Sequence, residues 1–168
     1  MSMYPDDTRF QSFHDLFGVK KPIIGMLHLP PLPGSPIYNG KGLKEVIDRA
    51  LYDANELQEG GVDALEVENF SDPTYYPQEV GPELTAAMAV ISDHVIRAAS
   101  KPVGICILAD PKASLSVAHA VGAKFVRATF FTEASVDVSG LVCPKPHELL
   151  RFRKFLDPSI KIFTDVHI

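Results

Sequence analysis

Short apolar runs alternate with longer segments whose apolar residues recur at helical spacing, and this alternation is what most restricts the fold. The apolar runs lie at residues 22–29, 62–67, 102–108, 124–129 and 160–166. The helical segments between them lie at residues 43–57, 82–96, 113–121 and 146–156. Strands that alternate with helices in this way form a parallel sheet through right-handed crossovers. The sequence therefore predicts an α/β fold.

The number of strands leaves two architectures open. A closed TIM (β/α)8 barrel takes roughly 250 residues, whereas this chain has 168. The favoured interpretation is an N-terminal portion of such a barrel, with about five β/α units, that is C-terminally incomplete. The alternative is an intact open sheet of the doubly wound type. Both place the functional face at the carboxyl ends of the strands.

The predicted domain organisation is simple. A helix within residues 1–20, with phenylalanines at helical spacing and a glycine stop, caps the bottom of the barrel, and residues 21–168 form the barrel domain. Residues 134–143 are expected to form a hairpin or an ordered loop. The first strand is predicted to be buried on both faces, and it ends in a proline-rich loop. His28 is thereby placed at a strand end.

Composition excludes several classes of function. Sixteen basic residues stand against 21 acidic ones, giving a net charge of -5, and no basic stripe of the kind that binds nucleic acid is present. No signal sequence and no apolar run of membrane-spanning length occur, so a cytoplasmic location and no transmembrane segment are predicted. Cys106 and Cys143 lack disulfide or metal spacing; both are interpreted as free thiols, and Cys106 as a core residue.

Polar residues gather at the predicted carboxyl ends of all five strands. Ionisable groups that meet in a partly buried place must pair with one another, bind a metal or bind a ligand. They therefore mark the candidate site. Its members are His28, Glu66, Glu68, Asn69, Asp110, Arg127, Asp165 and His167.

Roles for these residues follow from their chemistry. His28, Glu68 and Asp165 are the catalytic candidates, with His28 as a general acid or base. The ligand-binding candidates are Glu66, Asn69, Asp110 and Arg127. Two simpler interpretations stay open: His28 could bond only to a backbone carbonyl, and Glu66 could lie one layer deeper and pair with Arg127.

A divalent metal is the cofactor hypothesis that the residues offer, although the sequence names no cofactor. His28, Glu68, Asp165 and His167 together supply the nitrogen and oxygen ligands that zinc, manganese or iron takes. Plain ion pairing among the same groups is the alternative.

Four segments resemble the BtpA family, also called the BtpA/SgcQ family. The longest is KPIIGMLHLPPLPGSP at residues 21–36, and the others are EGGVDALEVENF at 59–70, VGPE at 80–83 and IFTDVH at 162–167. The resemblance implies a TIM barrel of the ribulose-phosphate-binding type. It brings no established reaction with it.

The resemblance also shapes the expected function. The family takes its name from a cyanobacterial factor needed for photosystem I to accumulate, and other relatives resemble proteins encoded beside sugar-metabolism genes. The leading expectation is a barrel that binds or transforms a small polar ligand, phosphorylated sugars included, with or without a metal. The alternatives are a non-catalytic assembly or stability factor, and a fragment without activity. Whether the protein is an enzyme, a homo-oligomer or bound to a protein partner stays open.

Overall fold

The computed structural model describes the backbone of residues 8–166 and the side chains of residues 13–166. Five helices are present in this part: α1 (Thr8–Phe17), α2 (Lys44–Glu59), α3 (Pro82–Ala98), α4 (Pro111–Val121) and α5 (Pro146–Leu156). Its strands are β1 (Ile24–His28), β2 (Ala64–Glu68), β3 (Val103–Cys106), β4 (Phe125–Ala128), β5 (Ser135–Asp137), β6 (Gly140–Val142) and β7 (Lys161–Thr164). None of the helices in the described part is long and apolar enough to cross a membrane.

Five strands form one parallel sheet in the order β1-β2-β3-β4-β7. Each strand lies beside its predecessor without a reversal of order, as in a barrel, whereas a doubly wound sheet reverses at a switch point. The predicted α/β class with a parallel five-stranded sheet is confirmed, and it is consistent with part of a TIM-like barrel. β5 and β6 form a separate antiparallel hairpin, which is one of the two alternatives expected for residues 134–143.

Proline and glycine set the helix boundaries. α3, α4 and α5 each begin with proline, whose missing N–H costs nothing in a first turn. Asp110 caps α4, because its Oδ1 accepts a hydrogen bond from the Ala113 N–H at 2.9 Å. Gly122 ends the same helix in the left-handed conformation, at φ 80°. These local rules explain why the predicted helices match the observed ones closely.

The two faces of the sheet differ in character. The face toward α2–α5 is apolar and includes Leu65, Val67, Ile105 and Val126 in the main core. Side chains on successive strand positions point to opposite faces. The other face therefore carries the alternate residues, which are apolar toward the amino ends of the strands, except Lys161, and polar toward the carboxyl ends.

Phenylalanines fill the amino-terminal end of that second face. Phe17 of α1 lies 5.7 Å from Phe125 and 5.8 Å from Phe163, centroid to centroid. Phe13 packs on Phe17 and on Phe163. Helix α1 thus packs on the end of the sheet opposite to the polar residues. The division into a capping helix at residues 1–20 and a barrel domain at 21–168 stays a prediction.

The prediction that β1 is buried on both faces is wrong. Leu27 is buried against the helices, but Ile24 and Met26 on the other face are only half-buried and His28 is exposed. The reason is that β1 lies at one edge of the described sheet, so its second face has neighbours on one side only.

Candidate functional site

Strand pairing places the polar side chains at matching heights. His28 pairs with Glu68 across β1 and β2, and Glu68 pairs with Cys106 across β2 and β3. Glu66 lies two residues deeper, level with Met26. Because strand residues two apart share a face, Glu66 and Glu68 both point away from the helices. The site is therefore built on strand ends rather than on flexible loops.

His28 and Glu68 form the pair nearest to solvent. The His28 Nε2 atom lies 3.3 Å from Glu68 Oε2; the imidazole side chain is 43% exposed, while the carboxylate is 3% exposed. Phe70 stacks on the imidazole with a centroid separation of 4.3 Å and an angle of 15° between the rings. The stacking fixes the plane of the imidazole, and the carboxylate faces one of its nitrogens.

Arg127 connects the carboxylates. Its Nε and Nη2 donate to the two oxygens of Asp165 at 2.9 and 2.7 Å, a bidentate pair. Its Nη1 lies 3.5 Å from Glu68 Oε1 and 3.8 Å from Glu66 Oε1. The hydrogen bond to Asp165 is the main cause that raises the pKa of Arg127, so the guanidinium stays charged. One cation thus serves three carboxylates.

Glu66 is the least satisfied member of the group. It is 3% exposed, and its Oε1 has no hydrogen-bond partner. Burial raises the pKa of Glu66 from 4.5 to about 7, although the Arg127 charge opposes that rise. The predicted pairing of Glu66 with Arg127 is present as a distant ion pair, 3.8 Å long. Near neutral pH this carboxyl therefore exchanges a proton readily.

Cys106 is a buried free thiol, as the sequence predicts, and it also contacts this group, which the sequence did not indicate. Its Sγ lies 3.8 Å from Glu68 Oε1, within reach of a weak S–H donor. Burial, reinforced by Glu68 and Glu66, raises the pKa of the Cys106 thiol well above its usual range, so the proton stays on sulfur. The signal that could have placed Cys106 in the group is the strand register, which sets it opposite Glu68.

Asn69 and Asp110 have their polar groups engaged within the protein. The Asn69 carbonyl oxygen accepts from the Leu108 N–H at 2.8 Å, and its amide faces Asp72. Asp110 caps α4 with one oxygen and accepts from the Val80 N–H with the other at 3.0 Å. These contacts hold the loops around the strand ends, and the proposed ligand-binding role of both residues stays a prediction.

The four proposed metal ligands are only partly brought together. His28 and Glu68 are adjacent, Asp165 is held by Arg127, and His167 lies outside the described residues. Among residues 8–166, no group of three or more His, Cys, Asp or Glu side chains has the spacing to hold a metal ion. Within residues 13–166, the adjacent donors His28 and Glu68 are fewer than the three protein ligands of a catalytic zinc site.

Comparison with known proteins identifies the family. The model of the BtpA family matches residues 19–168. This chain belongs to the BtpA family. The resemblance carried by the four motifs is therefore confirmed, and the motif at residues 21–36 contains the strand that places His28 in the site.

Three relatives illustrate the range of the BtpA family. An uncharacterized protein of Pyrococcus horikoshii is 42% identical over 149 residues, which cover 88% of this chain and 57% of the relative. The Photosystem I biogenesis protein BtpA of Synechocystis is 40% identical over 151 residues, 89% of this chain and 52% of the relative. The putative sgc region protein SgcQ of Escherichia coli is 44% identical over 118 residues, 69% of this chain and 43% of the relative. The chain thus spans little more than half the length of the first two relatives.

Proposed function

We propose that the chain forms part of a barrel site that binds a small polar, sugar-like ligand and supplies His28 as a general acid or base. The observation that supports this most directly is the contact between His28 and a buried carboxylate at the carboxyl end of neighbouring strands. Barrel enzymes carry out their chemistry at this face. An imidazole is also the side chain best suited to move a proton at neutral pH.

Each neighbour has a role in this proposal. Glu68 orients the imidazole through the 3.3 Å contact with its Nε2, as a carboxylate does in other histidine–carboxylate pairs. Arg127 holds the Glu68 carboxylate in place, with Nη1 3.5 Å from its Oε1. Asp165, held by two hydrogen bonds from Arg127, is the next carboxylate that a ligand hydroxyl could reach.

A metal-assisted form of the proposal uses His28, Glu68, Asp165 and His167 as ligands. The first two already lie together, but Asp165 would have to release Arg127. A bound divalent ion would supply Lewis-acid polarisation of a ligand oxygen. No step above depends on it.

A thermal-shift screen of divalent metals, sugars and sugar phosphates tests the proposal. A ligand at 100 times its dissociation constant stabilises the folded state by about 2.7 kcal/mol, a readily visible shift. The proposal expects at least one such compound to stabilise the protein. It also expects the double variant His28→Ala/Glu68→Ala to lose that stabilisation.

A matched double variant separates the site from general effects. His94 and Glu56 are exposed on the outer sides of α3 and α2, so His94→Ala/Glu56→Ala makes the same chemical change far from the strand ends. This control is expected to keep the ligand shift. An unchanged shift in His28→Ala/Glu68→Ala, or no shift with any compound, would contradict the proposed function.

A role as an assembly factor is the second candidate, and the 40% identity to the Synechocystis protein named for photosystem I biogenesis favours it. Expression in a Synechocystis strain that lacks this relative tests it through the recovery of photosystem I. Recovery with both the natural protein and His28→Ala/Glu68→Ala would favour assembly without site chemistry. No recovery with either would count against the assembly role.

A further inference from the structure

We infer that the part of the ligand lying over the strand ends of β1–β4 and β7 is uncharged and hydroxylated, as in a neutral sugar or polyol, rather than a phosphate. This inference rests on the proposed function and specifies the class of ligand for the same site. The observations that support it are the contacts of Arg127 with three carboxylates, the buried Glu66 oxygen that has no hydrogen-bond partner, and the side chains that remain exposed.

The positive charge of the site is already used. Arg127 makes two hydrogen bonds to Asp165 and directs its remaining terminal nitrogen toward Glu68 and Glu66. Phosphate recognition by arginine needs the same planar set of donors free on one side. A phosphate would therefore compete with three carboxylates for this guanidinium.

The carboxylates outnumber the guanidinium. Glu66, Glu68 and Asp165 surround Arg127, and the Glu66 Oε1 atom is buried without a hydrogen-bond partner. In such a partly buried place, charges interact more strongly than in water. A phosphate dianion would therefore meet net negative charge, whereas a hydroxyl group can donate to a carboxylate oxygen.

The two lysines at the starts of α4 and α5, near the carboxyl ends of the strands, do not supply a replacement cation. Lys112, at the start of α4, and Lys145, just before α5, both pair with Glu148. They line a different cavity with Phe130, Phe131 and Cys143. His28, Glu68 and Arg127 do not line that cavity.

The groups that a ligand can touch are suited to a sugar. His28 is 43% exposed and Asp165 26%, so a ligand can reach both: the imidazole can accept or donate a hydrogen bond, and the carboxylate can accept one. Phe70 is half-exposed beside His28 and offers an aromatic surface on which the apolar face of a sugar ring can pack. Glu66 and Glu68 lie beneath these groups and contribute the negative charge of the site.

Titration calorimetry with matched pairs of ligands tests the inference. The probes are ribitol, D-ribose and D-xylose, each compared with its own 5-phosphate, at pH 8.5 with a chelator present. At least one neutral compound is expected to bind, and its phosphate to bind at least tenfold more weakly. Asp165→Asn and Phe70→Ala are each expected to weaken the neutral compound, while Phe155→Ala on the exposed side of α5 is not.

Variant Glu66→Gln gives a second measurement of the same effect. It removes one buried negative charge and keeps the shape of the side chain, so it is expected to raise affinity for the phosphates more than for the neutral sugars. Two outcomes would overturn the inference and leave the proposed function intact. In one, the phosphates bind as tightly as the neutral compounds; in the other, the phosphates bind only when a divalent metal replaces the chelator. Binding of neither class would contradict both.

Discussion

Glu66 combines burial, a distant cation and an unbonded oxygen, and its protonation should be measurable in the stability of the protein. Its folded-state pKa of about 7 lies above the unfolded value of 4.5. The folded protein therefore binds more protons than the unfolded chain between these pH values. In that window, stability falls as the pH rises.

Glu66→Gln should remove this pH dependence. Because each pKa unit corresponds to about 1.4 kcal/mol, the variant is expected to gain about 3 kcal/mol over the natural protein between pH 5 and pH 8. Urea unfolding at both pH values measures the gain. Glu56→Gln on the exposed side of α2 is the matched control and should show none; an equal gain in that control would refute the assignment to Glu66.

Arg127→Met tests whether one guanidinium holds three carboxylates together. The methionine retains much of the apolar stem but leaves Glu66, Glu68 and Asp165 facing one another without a cation, at an expected cost of roughly 3 kcal/mol in the free energy of unfolding. Arg97→Met removes an exposed pair with Asp93 and should cost at most about 1 kcal/mol. Similar losses for the two variants in urea unfolding would contradict the role given to Arg127.

At the scale of single residues, the sequence allowed much of the site to be predicted. His28, Glu66, Glu68 and Arg127 could be placed on one face because strand side chains alternate and parallel strands end at one edge. Which carboxylate Arg127 would bond most closely could not be predicted, because its bidentate pair with Asp165 depends on side-chain rotamers. Cys106 was assigned to the core because its neighbours in the chain are apolar.

Among the secondary-structure elements, the helices were easier to predict than the strands. Proline, glycine and helical periodicity mark helix ends locally, whereas the predicted strands ran past residues such as Leu108 that belong to loops. The prediction that β1 is buried on both faces was wrong, because the burial of a strand depends on which strands lie beside it. Such information is absent from the chain's local pattern.

Packing of β3 against β4 depends on Gly104. A Cβ at this position would lie 2.0 Å from Cε2 of Phe125, a ring that is itself fully buried. Gly104→Ala is therefore expected to destabilise the protein by about 2 kcal/mol or more through overpacking. Phe125→Leu in the same chain should recover part of that loss, because the shorter side chain vacates the contested space.

A double-mutant cycle in urea unfolding measures that recovery. Gly104→Ala, Phe125→Leu and the double variant are compared with the natural protein. A coupling of about 1 kcal/mol or more in the favourable direction is expected for side chains in direct contact. Simple additivity of the two losses would show that the clash is relieved in some other way.

The whole molecule separates stability from chemistry along the strands. Phe13 and Phe17 of α1 pack with Phe125 and Phe163 at one end, and the carboxylates and His28 lie at the other. Barrels show the same division between a stabilising amino-terminal face and a functional carboxyl-terminal face. A change at one end should therefore alter stability without altering the protonation of the other.

Phe17→Ala tests this separation. The loss of a buried ring that contacts Phe13, Phe125 and Phe163 is expected to cost about 3 kcal/mol in the free energy of unfolding. The cost should be the same at pH 5 and pH 8, because Glu66 keeps its surroundings. Phe155, which is 82% exposed on α5, supplies the matched control, and Phe155→Ala should change stability by no more than about 0.5 kcal/mol. If Phe17→Ala instead abolished the pH dependence that Glu66 imposes, the two ends of the sheet would be coupled, and the burial of Glu66 would depend on the packing of α1.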